Sequence, residues 1–328
     1  MEVQQARDLA KDAYHLVLLI VMVLVLLGVV SWVFGCSVIP LPKWCDAYWF
    51  VMGSPKVLIV HGSEGLGDPD LLRLSLSDPE HLGVRAQTQD LGRISLGNLK
   101  QYQLVIVEKA KKISTDKLKV FMDYVDQGGR LVWTGDAGTE LDAGDEFLYK
   151  DELEEGKPHE IISPWMRKKD GKVVGFGDFL GVEFLGNFCD GKIKDCSEPF
   201  PAIGVIDVPN TDHELVQAAR QGLLLFGNMA ITEAVEDAPS TIVASIDYRG
   251  SLITNDGRDL GRSFPLIITN GLGEKVAYYA IPPEQFVSDG LAEKLQTMNL
   301  CGSQNASQPD KGCYYWNFLE KMYSGMIK

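Results

Sequence analysis

Histidine is scarce, with five in 328 residues and no two at H-x-x-x-H spacing. The six cysteines never fall as C-x-x-C. Transition-metal sites draw their ligands from such clusters, so no metal centre and no cofactor is expected. Basic residues are outnumbered, 31 Lys and Arg against 45 Asp and Glu, for a formal net charge of −14. That balance excludes nucleic acid as a partner held by a basic surface. The chain has no G-x-G-x-x-G, no P-loop Lys-Ser/Thr, no internal repeat and no low-complexity tract. The acidic stretch from Glu140 to Glu155 does not follow the EF-hand pattern, so it reads as a solvated face before it reads as a Ca²⁺ site.

What is present is ordinary globular composition, 45% apolar and 23% charged, broken by one segment. Residues 16–34, "LVLLIVMVLVLLGVVSWVF", carry no charge. A helix of that length is close to the roughly 30 Å of a bilayer core. Trp32 and Tyr14 lie near its two ends, where amphipathic aromatics favour headgroups. The expectation is a transmembrane helix over 14–35, after a cytoplasmic tail (1–13) and before a juxtamembrane neck (36–55) and an extracytoplasmic domain (56–328). Three rivals are a cleaved signal peptide, lipoprotein processing at Cys36 and a buried core helix. The run is longer than a usual signal h-region and lacks an A-x-A-like site, and Phe34 is bulky for a lipobox.

Arg7 and Lys11 precede the run and Lys43 follows it, a weak bias toward a cytoplasmic N-terminus. All six cysteines come after it, and they fall into sequence-local pairs: Cys36 with Cys45, Cys189 with Cys196, Cys301 with Cys313. Six cysteines allow 15 connectivities, and the local one is the expectation, suited to an oxidising exterior. Asn305 opens an N-A-S glycosylation triplet. The cell membrane, other membrane or envelope proteins and a second copy of the chain are the expected partners.

From Lys56 the pattern is α/β. "KVLIVHG" and "YQLVIVE" are apolar runs of buried-strand length, and "VRAQTQD" is a shorter strand candidate. "STDKLKVFMDYVDQGG" is the clearest helix: Ser114 or Thr115 caps it, Leu118, Phe121, Met122 and Val125 form its apolar face, and Gly128–Gly129 ends it. "RLVWTG" is the next strand. Such alternation predicts a mainly parallel sheet flanked by helices. Residues 137–172 are rich in acids and predict a surface insertion. Beyond them "AIGVIDV", "GLLLFGN", "STIVASIDY", "FPLIITNG" and "KVAYYAIPP" predict a β-rich C-terminal part, closed by helices near 283–298 and 313–326.

Two stretches carry a resemblance. "DKLKVFMDYVDQGGRLVWTGDAG" resembles the helix–Gly-Gly–strand element of the class I glutamine amidotransferase-like fold, in its ThuA-like and GIFT-type form. "FPLIITNGLGEKVAYYAIPPEQF" is similar to the late hairpin of those proteins, and "GFGDFLGVEF" to their helix ending in Leu-Gly-Val. The resemblance covers roughly 56–328 and implies a flavodoxin-like or amidotransferase-like architecture. It also implies where a nucleophile would sit, in a G-x-C-x-G elbow after a strand. Here the turn reads Gly135-Asp136-Ala137-Gly138, with neither Cys nor Ser at its apex, and a flanking threonine needs a positioned base to attack.

Other chemistry rests on strand ends. His61 and Glu108 close two strands, where ligands gather in open α/β sheets. Asp136 and His213 could converge with them. "HGSEGLGD" could cradle a phosphate on its amides, although a plain turn is the simpler reading. The expected function is a non-catalytic, membrane-anchored binding or assembly subunit of a membrane or envelope complex. The alternatives are a hydrolase or carbohydrate-active enzyme using His61, Asp136 and His213, and a homo-oligomeric structural component.

Overall fold

A computed structural model describes residues 2–34, 56–153, 156, 158–198, 200–217, 222–236, 238–271, 273–297 and 315–327. The chain divides into two units, one of residues 1–55 with Lys328, the other of 56–327. The neck, Cys36, Cys45, Cys301, Cys313 and Asn305 lie outside the described residues.

In the first unit α1 runs as one helix, Glu2–Phe34. The expected transmembrane span is overturned: among the described residues no helix is long and apolar enough to cross a membrane. Side chains are described only over 14–30 of this helix. The single-pass topology and the cell-membrane localisation inferred from the span, with its cytoplasmic N-terminus and external domain, are corrected with it.

The second unit begins with β1 (Lys56–His61), whose Val57–Val60 are buried. Helix α2 (Pro69–Ser77) follows, capped by Asp68, and leads to β2 (Arg85–Asp90). Strand β3 (Leu104–Glu108) is buried throughout, as a strand covered on both faces must be. Helix α3 (Thr115–Asp126) carries the expected Ser114 cap, its side chain accepting from Lys117 N–H. Its buried stripe is Thr115, Leu118, Phe121 and Tyr124, and the expected Met122 and Val125 pack partly buried against the same core. Strand β4 (Arg130–Thr134) completes this half.

The insertion folds as a small antiparallel sheet of β5 (Glu146–Phe147), β6 (Met166–Lys169) and β7 (Lys172–Gly175). Its acids Asp142, Glu146, Asp151 and Glu152 are exposed, as a solvated face requires. Asp145, Trp165 and Arg167 are nevertheless buried. After α4 (Phe176–Leu180) come β8 (Val182–Asn187), β9 (Ala202–Asp207), β10 (Leu224–Phe226), β11 (Ala230–Ala234), β12 (Ser240–Tyr248), β13 (Ser263–Asn270) and β14 (Val276–Tyr279). A 3₁₀ turn (Pro283–Val287), α5 (Asp289–Thr297) and α6 (Tyr315–Ser324) follow.

The large sheet has the order β10-β9-β12-β13-β14-β4-β3-β1-β2. The pairs from β14 to β2 are parallel. Those from β10 to β14 are antiparallel, so the β-rich C-terminal part forms a meander-like wing on a parallel core. β14 returns from its hairpin to lie parallel to β4, and thereby joins the two halves. The crossovers β1–α2–β2 and β3–α3–β4 proceed in opposite directions across the sheet. Right-handed connections then place α2 and α3 on opposite faces. The order 2-1-3-4 is that of flavodoxin-like sheets, with its switch point between β1 and β3.

Candidate functional site: a closed strand-end crevice

In open α/β sheets a ligand enters beyond the strand C-termini at the switch point. Here those termini are His61 and Glu108, which face each other in register. The space above them is occupied by the chain's own loop, Gly62–Gly67. Its backbone bonds along the segment after β3: Gly62 N–H donates to Lys109 O (3.1 Å), Lys109 N–H to Leu66 O (2.8 Å) and Lys111 N–H to Glu64 O (2.8 Å). A fourth bond ties it to the turn after β4, from Leu66 N–H to Asp136 Oδ1 (2.8 Å). The glycine spacing of this loop follows from that crossing. Gly65 and Gly67 have φ of +119° and +122°, and a Cβ would stand 3.0 Å from Asp136 Oδ1 on the first and 3.2 Å from Glu108 on the second. Larger residues do not fit so close an approach.

The turn after β4 is fully engaged. Thr134 Oγ1 donates to Val107 O (2.9 Å) and Thr139 Oγ1 to Asp136 O (2.8 Å), so neither hydroxyl is poised to attack. The indoles of Trp133 and Trp165 both donate to Ala137 O, at 2.8 and 2.9 Å. Tyr278 Oη donates to Gly135 O (2.9 Å), and burial, with Asp136 beside it, pushes that phenol well above its usual range. Arg167 reaches in from the insertion to the carbonyls of Gly138, Glu140 and Ile113. Asp136 is buried, its Oδ2 accepting from Asn187 Nδ2 (2.8 Å) while Oδ1 holds Leu66. It is a clamp between two loops, not the apex of a nucleophile elbow.

Below Gly67 lies a second acidic group. Glu108 and Glu284, on the 3₁₀ turn after β14, are both fully buried. Asp68 N–H donates to Glu284 Oε1 (2.8 Å). Burial, then the charges of Glu284 and Asp68, raise the Glu108 carboxyl well above the carboxylate range. Burial pushes Glu284 up to about 7, against the lowering pull of the Asp68 N–H. The N-terminus of α2 beside them is already capped, since Asp68 Oδ1 accepts from Asp70 N–H (3.2 Å) and Leu71 N–H (3.1 Å). A phosphate there would meet three carboxyl groups and no free helix donor, so "HGSEGLGD" is a closing loop rather than a phosphate cradle.

The predicted residues therefore separate. His61, Glu108 and Asp136 share the strand-end region; His61 is half-buried and its Nδ1 lies 3.1 Å from Gly62 O. His213 does not join them. Its Nε2 pairs with Glu274 (3.1 Å) in the β13–β14 turn, at the end of β14 opposite to the one beside Asp136. Its Nδ1 accepts from Leu215 N–H (3.3 Å). Cys189 and Cys196 form a disulfide. Among the described residues no group of three or more His, Cys, Asp or Glu side chains is arranged to hold a metal ion. Glu284, Asn187, Arg167 and Tyr323 complete the region and were not anticipated. A charged residue directly after "AYYAIPP" was the one local sign of Glu284.

No protein-family model and no curated protein matches the chain. Among solved structures it is similar to a ThuA-like protein from Bacteroides uniformis, at 15% identity over 78% of this chain and 96% of that one, with a TM-score of 0.46. A ThuA-like protein from Parabacteroides merdae is 14% identical over 69% of this chain and 79% of that one, with a TM-score of 0.41. A β-galactosidase from Rahnella sp. R3 is 16% identical over 78% of this chain but 33% of that one, with a TM-score of 0.43. Likenesses this distant assign no activity.

Proposed function

We propose that this chain is a non-catalytic binding or assembly domain, and that its amidotransferase-like α/β unit serves as a scaffold for contact with another protein or a second copy. One observation carries this reading. The crevice where a doubly wound sheet would receive a substrate is closed by the chain's own Gly62–Gly67 backbone, bonded to the segments after both β3 and β4. The turn Gly135-Asp136-Ala137-Gly138 supports it further, because no Cys or Ser stands there and Asp136 spends both oxygens on structural bonds. The reading as a ThuA-like or GIFT-type domain without a cysteine elbow rests on those turn residues and on the Asp116–Gly138 segment. Purification of the full chain from its native cells, with co-purifying proteins identified by mass spectrometry, tests the proposal. A stoichiometric protein partner or a stable homo-oligomer supports it. A monomer that turns over a small-molecule substrate overturns it.

A further inference from the structure

The loop after β1 rests on a polar floor. A Cβ on Gly67 would lie 3.2 Å from the Glu108 side chain, and the next residue, Asp68, is tied by its N–H to Glu284. Both oxygens of Glu108 and Oε2 of Glu284 are buried without a donor, and so is the hydroxyl of Tyr323 on α6 without a partner. The groups facing the pair are Asp68 at the cap of α2, Lys109 after β3, Tyr323 with its neighbour Tyr279, and His61 alongside on β1. Only Lys109 among these is a permanent cation. Two ionised carboxylates at one desolvated spot repel each other and lose hydration, and carboxyl pairs elsewhere resolve this by sharing one proton.

We infer that Glu108 and Glu284 share a proton which holds the loop Gly62–Asp68 shut over the strand-end crevice, and that loss of this proton opens the loop. Protonated Glu108 donates to Glu284, whose other oxygen keeps the bond from Asp68 N–H. When the proton leaves, two buried negative charges lie under Gly67 with Asp68 beside them, and hydration becomes the favourable course. The sign follows from linkage. The closed pair retains its proton above the pH at which solvated carboxyls release theirs, so closure is favoured at low pH and opening grows as pH rises. An open loop would uncover His61, Glu108 and Asp136 at the switch point, giving this face of the domain two pH-dependent states.

Amide hydrogen exchange on the full chain, read on peptides covering 62–68 and on β4 as an internal reference, tests the latch. After correction for the intrinsic rate, the opening equilibrium of the loop should rise at least about tenfold between about pH 5.5 and about pH 8.5 while β4 stays protected. In Glu108→Gln the amide keeps a donor toward Glu284 and does not titrate, so the rise should vanish. Glu284→Gln, which also leaves a single ionisable group, should flatten it as well and serves where Glu108→Gln does not fold. Loop protection that is independent of pH in the wild type overturns the inference, with or without a foldable variant. So does an undiminished rise in either glutamine variant.

Discussion

Replacing Asp136 with alanine removes two buried acceptors in one step. Oδ1 holds Leu66 N–H and Oδ2 holds Asn187 Nδ2, each at 2.8 Å. Hydrogen bonds to a charged acceptor contribute roughly 1.5–3 kcal/mol each, so Asp136→Ala should cost about 3–5 kcal/mol. For a domain of this size that is a fall in Tm on the order of 10 °C. Asp136→Asn is a different perturbation. Its carbonyl oxygen still accepts from Leu66, while its new NH₂ faces the Asn187 NH₂. Asn187 can relieve that clash by turning its amide over, because its Oδ1 has no partner among the described residues. The expected cost is about 1 kcal/mol, the scale of one neutral hydrogen bond. Thermal melts followed by circular dichroism measure both variants. An alanine variant within about 0.5 kcal/mol of wild type, the range of an uninvolved surface change, would refute the clamp. An asparagine variant as unstable as alanine would refute the account of its charge.

Three further outcomes are expected. Arg167→Met leaves the carbonyls of Ile113, Gly138 and Glu140 without their buried donor; it should lose about 3–5 kcal/mol in urea unfolding, and a loss under 1 kcal/mol would contradict the assignment. Substituting serine for both Cys189 and Cys196, seven residues apart, should cost about 2–3 kcal/mol in the same assay through the freed loop, and no change would contradict it. Stability should also fall with rising pH. Burial raises both carboxyls of the Glu108–Glu284 pair, so the contribution of the protonated pair is present at low pH and is lost as pH rises and the pair gives up its proton. Urea midpoints at a series of pH values check this, and a slope equally steep in Glu284→Gln would contradict it.

The parallel half of the sheet was legible because burial on both faces writes itself locally: "VLIV" and "LVIV" are unbroken apolar runs, and α3 announces itself by its Ser114 cap and its Leu118–Phe121 stripe. Tyr124 was missed on that helix because its ring belongs to the core while its hydroxyl reaches Tyr102 O. The site was legible in part. Strand-end logic picked out His61, Glu108 and Asp136, but it has no access to pairings across long stretches of chain. Asp68 meets Glu284 across 216 positions, and Asp136 meets Asn187 across 51. Arg167 stands in the basic run "MRKKDGK", where composition gives no sign of which cation turns inward. His213 stands apart, because the topology sends it to the other end of β14. The apolar run of α1 predicted a membrane span that the described residues do not provide.

We propose that the strand-end region, closed by its own loop, is a scaffold without a catalytic role. The most direct measurement is a turnover screen of the full-length protein, wild type and Asp136→Asn, against glycan, ester and amide substrates. The account predicts no turnover above the buffer blank in either protein. An activity in the wild type that disappears in Asp136→Asn, with the circular dichroism spectrum unchanged, would contradict it, since a proton-transfer group commonly contributes roughly 10²–10⁴-fold in rate and a structural clamp does not.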